Sequence, residues 1–258
     1  MVFVRSALFH VLFYVVLVGL MIVGLPYAFR PRQKMLELPK LWGRISLWLL
    51  EHVCGLRVEF RGLANLPAGG VIIAAKHQSF LETFAMPTRL GDFTYVLKRE
   101  LLGIPLFGWY LRAAEQLAID RSRRMNALNQ VAKEARKVLA QGRQIVIFPE
   151  GTRKMIGAAP DYKAGVALVQ AETGAPCVPV ALNTGLFWPK RGFVRRPGLA
   201  IIEFLEPIAP GLDRKAFMAL LQERIESASG RLAAEAYARD PSLRQLGRSG
   251  AASPPEAV

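Results

Sequence analysis

Short runs of apolar and β-branched residues alternate along most of this chain with longer segments whose apolar residues recur at helical spacing. The short runs predict β-strands, and the longer segments predict α-helices. The predicted strands cover residues 71–75, 94–97, 116–119, 143–148, 177–182 and 199–204. The predicted helices cover residues 82–90, 125–141, 165–172 and 213–237. This alternation is typical of an α/β layer fold, in which helices cover a central sheet.

An uncharged apolar segment precedes this pattern. Residues 8–29 contain no Lys, Arg, Asp or Glu, and as a helix they would measure ~33 Å, enough to cross a hydrocarbon core of ~30 Å. The segment is longer than the apolar core of a signal peptide, so residues 1–34 are interpreted as a transmembrane anchor with a basic flank. Arg30, Arg32 and Lys34 follow the apolar segment. By the positive-inside tendency they predict a single-pass protein of the cell membrane, the inner membrane in a Gram-negative cell, with the main domain facing the cytoplasm.

The rest of the chain divides into three parts. Residues 35–57 carry Trp, Leu and charged side chains at helical spacing, which is typical of an interfacial helix and equally of a helix packed on a core. Residues 58–238 contain the strand and helix pattern and form the main domain. Residues 239–258 are rich in Ser, Gly, Pro and Ala and have too little apolar content to fold, so they predict a disordered tail.

Charge and composition restrict the classes of partner. The formal net charge of +14 predicts attraction to polyanions, and the 52% hydrophobic content favours anionic membrane lipids over nucleic acid. The two cysteines, Cys54 and Cys177, have neither the spacing of a zinc site nor that of a disulfide framework. The chain also lacks the glycine-rich fingerprints of nucleotide-binding loops. The sequence therefore predicts no metal and no cofactor.

The segment from Lys76 to Glu82 directly follows a predicted strand and contains His77. A neutral imidazole can accept a proton from an alcohol near pH 7, and a carboxylate partner such as Glu82 would orient it. Residues five apart on one helix differ by about 140° around the axis, so His77 is predicted to lie in the turn before the helix. Ser79 is interpreted as a helix cap, because the chain has no Gly-x-Ser-x-Gly motif around a nucleophilic serine.

The segment Phe148-Pro149-Glu150-Gly151-Thr152-Arg153 also follows a predicted strand. Its glycine, hydroxyl and guanidinium suit the recognition of a phosphate, although a structural ion pair in a turn is an alternative interpretation. Strand ends are the usual place for a site in an open α/β sheet, so the two segments together predict one active site.

These segments resemble four blocks of the 1-acyl-glycerol-3-phosphate acyltransferase family, in order and at family-like spacing. Residues 77–82 are similar to the first block, His-x4-Asp, with Glu82 in place of the more usual aspartate. Residues 98–101, with Pro105 and Gly108, are similar to the second block. Residues 148–153 match the third block, and residues 178–181 match the fourth. The resemblance covers roughly residues 58–205.

The resemblance implies a single glycerolipid-acyltransferase-like domain with a central mixed sheet flanked by helices, preceded by the membrane helix. It implies transfer of a fatty acyl group from acyl-CoA or acyl carrier protein to lysophosphatidic acid, giving phosphatidic acid in phospholipid biosynthesis. His77 and Glu82 would be the catalytic residues. The implied substrate-binding residues are Lys98, Glu150, Gly151, Thr152 and Arg153.

Two alternatives remain open from the sequence. The first keeps the chemistry and changes the acceptor to glycerol-3-phosphate, another lysophospholipid or a lyso-aminolipid. The second is a non-catalytic basic protein that binds membrane lipid through its positive charge. This second alternative does not explain why His77 and Glu82 occur together.

Overall fold

The computed structural model describes residues 1–120 and 124–245 of the chain. Helix α1 (Val2–Val23) comes first and is followed by a 3₁₀ turn. Helix α2 (Arg32–Leu49) then leads through a π-helical turn, Leu50–Cys54, into the main domain. The remaining helices of the described part are α3 Leu81–Ala85, α4 Phe107–Ala113, α5 Arg124–Ala140, α6 Gly165–Thr173 and α7 Arg214–Arg239.

The described strands form one mixed sheet with the order β1-β7-β6-β2-β5-β3-β4. They are β1 Leu56–Arg61, β2 Val71–Ala75, β3 Phe93–Lys98, β4 Leu117–Ile119, β5 Gln144–Ile147, β6 Cys177–Leu182 and β7 Gly198–Phe204. Neighbouring strands run parallel except β6 and β7, which are antiparallel. The predicted α/β fold with a mixed central sheet is confirmed.

Strand β2 lies at the centre of this sheet, between β5 and β6. All five of its residues are buried, and its register places Ala74 beside Ile147 of β5 and Pro179 of β6. A strand buried on both faces reads as a continuous apolar run, as the sequence Val-Ile-Ile-Ala-Ala does. The residues that follow β2 are therefore held at a fixed place at the carboxyl end of the central strands.

The sequence predicted six of these strands and four helices to within a few residues, and it missed two elements. Strand β1 is short, alternates charged with apolar residues, and lies at the sheet edge. Helix α4 contains glycine and several aromatic residues, which are weak helix formers, so tertiary contacts decide its conformation. The predicted helix 82–90 is divided, since α3 gives way to a 3₁₀ turn, Met86–Arg89, that contains Pro87.

Helix α1 is long and apolar enough to cross a membrane, and one of its faces packs on the main domain. Phe9 and Phe13 are buried there among aromatic side chains. The ring of Phe13 lies 5.1 Å from Trp42, 6.2 Å from Phe80 and 5.9 Å from Trp188, measured between centroids. The opposite face of α1 exposes apolar side chains, namely Val4, Leu8, Val11, Tyr14, Val15, Val18 and Ile22.

The two ends of α1 also bond to the domain. Near its start, Arg5 Nε donates a hydrogen bond of 2.6 Å to the carbonyl oxygen of Val53. Near its end, the hydroxyl of Tyr110 donates to the carbonyl oxygen of Met21 at 2.5 Å. The domain therefore flanks the helix along nearly its full length.

The segment predicted as interfacial or core-packed, residues 35–57, combines both environments. Met35, Leu36 and Leu49 of α2 are buried in the core, whereas Leu41 and Trp48 are exposed. One face of α2 therefore packs on the domain and the other faces outward.

The predicted tail, residues 239–258, begins within the described part of the chain. Helix α7 ends at Arg239, but a 3₁₀ turn follows at Pro241–Leu243, capped by the side chain of Asp240. Leu243 is buried in the main hydrophobic core, and this single leucine supplies the apolar anchor that the composition of the tail hides. Residues 246–258 of the predicted tail lie outside the described part.

Candidate active site

The two polar segments lie side by side at the carboxyl end of the central strands. His77 follows β2 and Glu150 follows β5, and these strands are parallel neighbours in the sheet. The two loops also bond to each other, because the backbone N–H of Lys154 donates to the carbonyl oxygen of His77 at 2.7 Å. The structure therefore brings both segments into one site, as the sequence predicted.

His77 and Glu82 form a hydrogen-bonded pair. The Nδ1 atom of His77 lies 3.0 Å from Oε1 of Glu82, and the glutamate is fully buried. Helix α3 begins at Leu81, so His77 lies in the preceding turn as predicted, and Glu82 lies in the first turn of the helix. With a carboxylate at that distance, Nδ1 carries the proton and Nε2 is left as a proton acceptor.

The carboxylate of Glu82 is fixed by further donors. Its Oε1 accepts hydrogen bonds from the backbone N–H of Gln78 at 2.7 Å and of Ser79 at 2.6 Å. Its Oε2 accepts from the hydroxyl of Thr184 at 2.7 Å. The longer glutamate side chain therefore reaches the imidazole here with its geometry held by the surrounding backbone.

The ring of His77 is held from one face and partly open to its surroundings. It stacks on Phe148 with a centroid separation of 3.9 Å and an interplanar angle of 15°, and 17% of the side chain is exposed. Ser79, in contrast, is fully buried, and its Oγ accepts a hydrogen bond from the N–H of Leu81, the first residue of α3. A substrate can thus reach His77, while the buried Ser79 hydroxyl supports the start of the helix.

Glu150, predicted to bind substrate, has a different place. Its side chain is 0% exposed, and both of its oxygens are used within the protein. Oε2 accepts from the backbone N–H of His77 at 2.9 Å, and Oε1 accepts from Nζ of Lys76 at 3.0 Å. Burial raises the pKa of Glu150, and the neighbouring Lys76 opposes that rise. Both oxygens of this buried carboxylate are thus bonded within the protein, and one of them holds the backbone of His77.

The other predicted binding residues surround the His77 loop on the side of β5 and β3. Gly151 adopts a φ of +66°, which favours glycine, and its N–H closes the turn onto the carbonyl oxygen of Phe148. Thr152 is exposed and Arg153 is half-buried. Lys98 is exposed at the end of β3, the strand next to β5. Neither Lys98 nor Arg153 forms an ion pair with another residue of the described part.

Gly108, noted in the sequence with the second block, lies where two segments come close. A Cβ atom at this position would lie 2.0 Å from the carbonyl oxygen of Leu102, a separation that no side chain tolerates. The glycine thus allows the start of α4 to fold back on the 3₁₀ turn Arg99–Gly103, which follows Lys98.

Sequence reasoning missed four residues around this site. Thr184 contacts Glu82 from the end of β6, and Lys76 contacts Glu150. Glu226 of α7 and Tyr162 complete the contacts of Lys76 from more distant parts of the chain. The position of Lys76 directly after an apolar strand was the one signal of these contacts in the sequence, because buried lysines need carboxylate partners. The identity of those partners depends on the tertiary fold.

Comparison with known proteins places this site in a family. A family model described as Acyltransferase matches residues 57–183, a segment that contains the loops of His77, Lys98 and Arg153. Residues 57–183 therefore carry an acyltransferase-family domain. The 1-acyl-sn-glycerol-3-phosphate acyltransferase of Pseudomonas aeruginosa is 42% identical to it over 157 residues, which are 61% of each chain. An enzyme of the same name from Cocos nucifera is 30% identical over 194 residues, 74% of this chain and 61% of the relative.

A solved structure shares the fold of this chain. It is the crystal structure of the 1-acyl-sn-glycerophosphate (LPA) acyltransferase PlsC from Thermotoga maritima, which superposes with a TM-score of 0.75 at 23% identity. The match covers 91% of this chain and 98% of the other. The curated relatives are matched over less of their length, from 47% for a Chlamydomonas reinhardtii relative to 61% for the Pseudomonas aeruginosa one.

Proposed function

We propose that this protein transfers a fatty acyl group from acyl-CoA or acyl carrier protein to the free hydroxyl of 1-acyl-glycerol-3-phosphate, giving phosphatidic acid. The observation that carries the proposal is the hydrogen bond between Nδ1 of His77 and the buried carboxylate of Glu82. It leaves Nε2 of a partly exposed imidazole as a base. The names of the relatives supply the acceptor.

In this mechanism Nε2 of His77 accepts the proton of the acceptor hydroxyl as its oxygen attacks the thioester carbonyl. The carboxylate of Glu82 stabilises the imidazolium that forms. The tetrahedral intermediate then breaks its carbon–sulfur bond, and the imidazolium returns the proton to the departing thiolate. The products are an ester and a free thiol, His77 regains its starting state, and the steps need no metal or cofactor.

Arg153 and Lys98 are proposed to hold the phosphate of the acceptor, assisted by Thr152 and the backbone of Gly151. Arg153 follows β5, the strand next to β2, and Lys98 ends β3, the strand on the other side of β5. Neither cation is paired with a carboxylate in the described residues. A guanidinium binds a phosphate through two parallel hydrogen bonds, and an ammonium adds a point charge.

Replacement of Arg153 by alanine is expected to raise the KM for the acceptor roughly 10- to 100-fold and to change kcat by less than threefold. Hydrogen bonds to a charged group contribute about 1.5–3 kcal/mol, which corresponds to this range of affinity. Steady-state kinetics at varied acceptor concentration measures both constants. The matched control is Arg136→Ala on α5, whose guanidinium pairs with the exposed Glu172 instead. An unchanged KM in the Arg153 variant would remove it from the phosphate site.

Helix α1 is proposed to attach the enzyme to the membrane that contains its substrates. The sequence predicted a single-pass arrangement with the domain in the cytoplasm. The contacts of Arg5 and Tyr110 at opposite ends of α1 favour a different arrangement. A helix flanked by the domain at both ends cannot cross the bilayer unless polar domain surface enters the hydrocarbon, which is costly. We therefore propose that α1 lies along one leaflet with its exposed apolar face inserted.

Cysteines placed at Val4 and at Ile22, in separate variants, test this arrangement. Both are exposed on the outward face of α1. A fluorophore is attached to each cysteine in liposomes, and nitroxide-labelled lipids are confined to one leaflet. With α1 in that leaflet both fluorophores should be quenched, whereas a spanning helix would place them in opposite leaflets and only one would be quenched. The native thiols add little background, because burial raises the pKa of Cys54 and raises that of Cys177 to about 12.

The proposed reaction is tested by transfer of labelled acyl groups to 1-acyl-glycerol-3-phosphate in liposomes. The purified protein is supplied with acyl-CoA or acyl carrier protein as donor. Glycerol-3-phosphate and other lysophospholipids are assayed in parallel, since they represent the nearest alternative acceptors. Formation of labelled phosphatidic acid supports the proposal, and a product with a different acceptor would keep the chemistry and change the substrate.

A further inference from the structure

A buried cluster of charged side chains lies directly beneath the loop of His77 and has no part in the steps above. Lys76 is 4% exposed, and its Nζ donates to Oε1 of Glu150 at 3.0 Å and to Oε1 of Glu226 at 2.6 Å. The hydroxyl of Tyr162 donates to the same oxygen of Glu226 at 2.7 Å. The ammonium of Lys76 also lies 5.8 Å from the centre of the Tyr162 ring.

The cluster joins parts of the chain that are far apart in sequence. Lys76 immediately precedes His77, Glu150 follows β5, and Glu226 lies 150 positions from Lys76 in helix α7. A buried lysine between two carboxylates must keep both ion pairs, because a buried charge without a partner strongly destabilises the fold. The positions of these side chains are therefore fixed relative to one another.

A hydrogen bond between the carboxylate of Glu150 and the backbone of His77 connects the cluster to the base. Glu150 has two oxygens, one facing Lys76 and the other accepting the backbone N–H of His77 at 2.9 Å. The orientation of this carboxylate thus depends on the cation behind it. Glu226 in turn has a side chain that is 31% exposed, so it supports Lys76 from the outer side of the cluster.

We propose that Lys76, supported by Glu226 and Tyr162, is a positioning residue that fixes the backbone of His77 through Glu150. The proposal rests on the assigned role of His77 as the base of acyl transfer. Lys76 and Glu226 contact no reacting atom. They keep the imidazole at the place where its Nε2 meets the acceptor hydroxyl, and displacement of a catalytic group by ~1 Å can lower a rate by ~10²-fold.

Replacement of Lys76 by methionine should lower kcat roughly 10- to 100-fold and leave both KM values within about twofold, because the base is displaced and the binding residues remain. Lys76→Arg, which can still bridge two carboxylates, should recover part of this loss. Glu226→Ala should give a smaller loss of kcat of the same kind. This second variant removes a partly exposed side chain, so it remains informative if Lys76→Met fails to fold.

A double variant tests whether Glu226 acts through Lys76. In Lys76→Met protein the further change Glu226→Ala should have no additional effect on kcat, since Glu226 has lost the group through which it acts. A full additional loss in the double variant would overturn the proposal. The matched control is Lys137→Met on α5, which removes an exposed lysine that pairs with Glu134.

Amide hydrogen exchange of residues 76–82 provides a measure that does not depend on activity. Faster exchange there in the Lys76 and Glu226 variants, with the rest of the chain unchanged, is the expected result. If the wild-type protein transfers no acyl group, the proposed function fails, and this exchange measurement alone decides the positioning role. If the wild-type protein is active and the variants change neither exchange nor kcat, the positioning role is wrong.

Discussion

His77→Ala protein is expected to lose turnover by about 10²- to 10⁴-fold and to keep its affinity for both substrates. General-base catalysis commonly contributes 10²- to 10⁴-fold, and here the imidazole is the group whose Nε2 is left open by the contact with Glu82. The substitution should not disturb folding, since Glu82 keeps the backbone donors of Gln78 and Ser79 and the hydroxyl of Thr184. Its buried carboxylate remains fully bonded without the ring.

Single-turnover and steady-state rates of labelled acyl transfer measure the effect, with thermal unfolding as a check on the fold. The matched control is His52→Ala. His52 lies in the turn Leu50–Cys54, stacks on the exposed Trp48 and bonds to a backbone carbonyl oxygen. The control should keep wild-type turnover. An alanine variant at position 77 with near wild-type kcat would contradict the mechanism, whatever the state of Glu82.

Glu82→Gln protein is expected to have a kcat lower by a factor on the order of 10²–10⁴, with little change in KM. The amide has the shape of the carboxylate, and its oxygen can take over the contacts with His77, Gln78 and Ser79. Its NH₂ group can donate to the hydroxyl of Thr184, which would turn to accept. The geometry is retained, and the negative charge that stabilises the imidazolium is lost, so the effect appears in turnover.

Two further variants separate charge from reach. Glu82→Asp keeps the charge and shortens the side chain by one methylene, so its carboxylate cannot meet Nδ1 of His77 and the hydroxyl of Thr184 together without movement of α3. It should also be impaired, although aspartate is the more usual residue in the family block. Thr184→Ser keeps the hydroxyl and serves as the control that remains active. Full activity of Glu82→Gln would mean that the charge contributes nothing to catalysis.

The sequence predicted those parts of the molecule that local patterns determine. The apolar runs of β2 and β5 have the length and composition of strands. Their parallel pairing brings His77 and the Arg153 loop to the same end of the sheet. The 140° separation on a helix was enough to place His77 before α3. These inferences depend on residues close together in the chain, where few competing conformations exist.

The parts that the sequence missed depend on contacts over long separations. Glu150 belongs to a motif whose other members suit phosphate binding, and only the packing of α7 and β2 shows that its carboxylate faces inward. Thr184 and Glu226 lie 102 and 150 positions from their partners Glu82 and Lys76. No periodicity connects such pairs, and with a single sequence no local rule can select them.

The aromatic contact between Phe13 and Phe80 connects the proposed membrane helix α1 to the turn that contains His77. Phe13 lies on the helix proposed to enter the lipid, and Phe80 lies in the same short turn as His77. Movement of α1 into or out of the bilayer would therefore change the packing of Phe80 in that turn. A form of the protein without residues 1–30 would lose the packing of Phe80 together with the proposed anchor, so the proposed attachment to lipid and the proposed chemistry depend on one set of side chains.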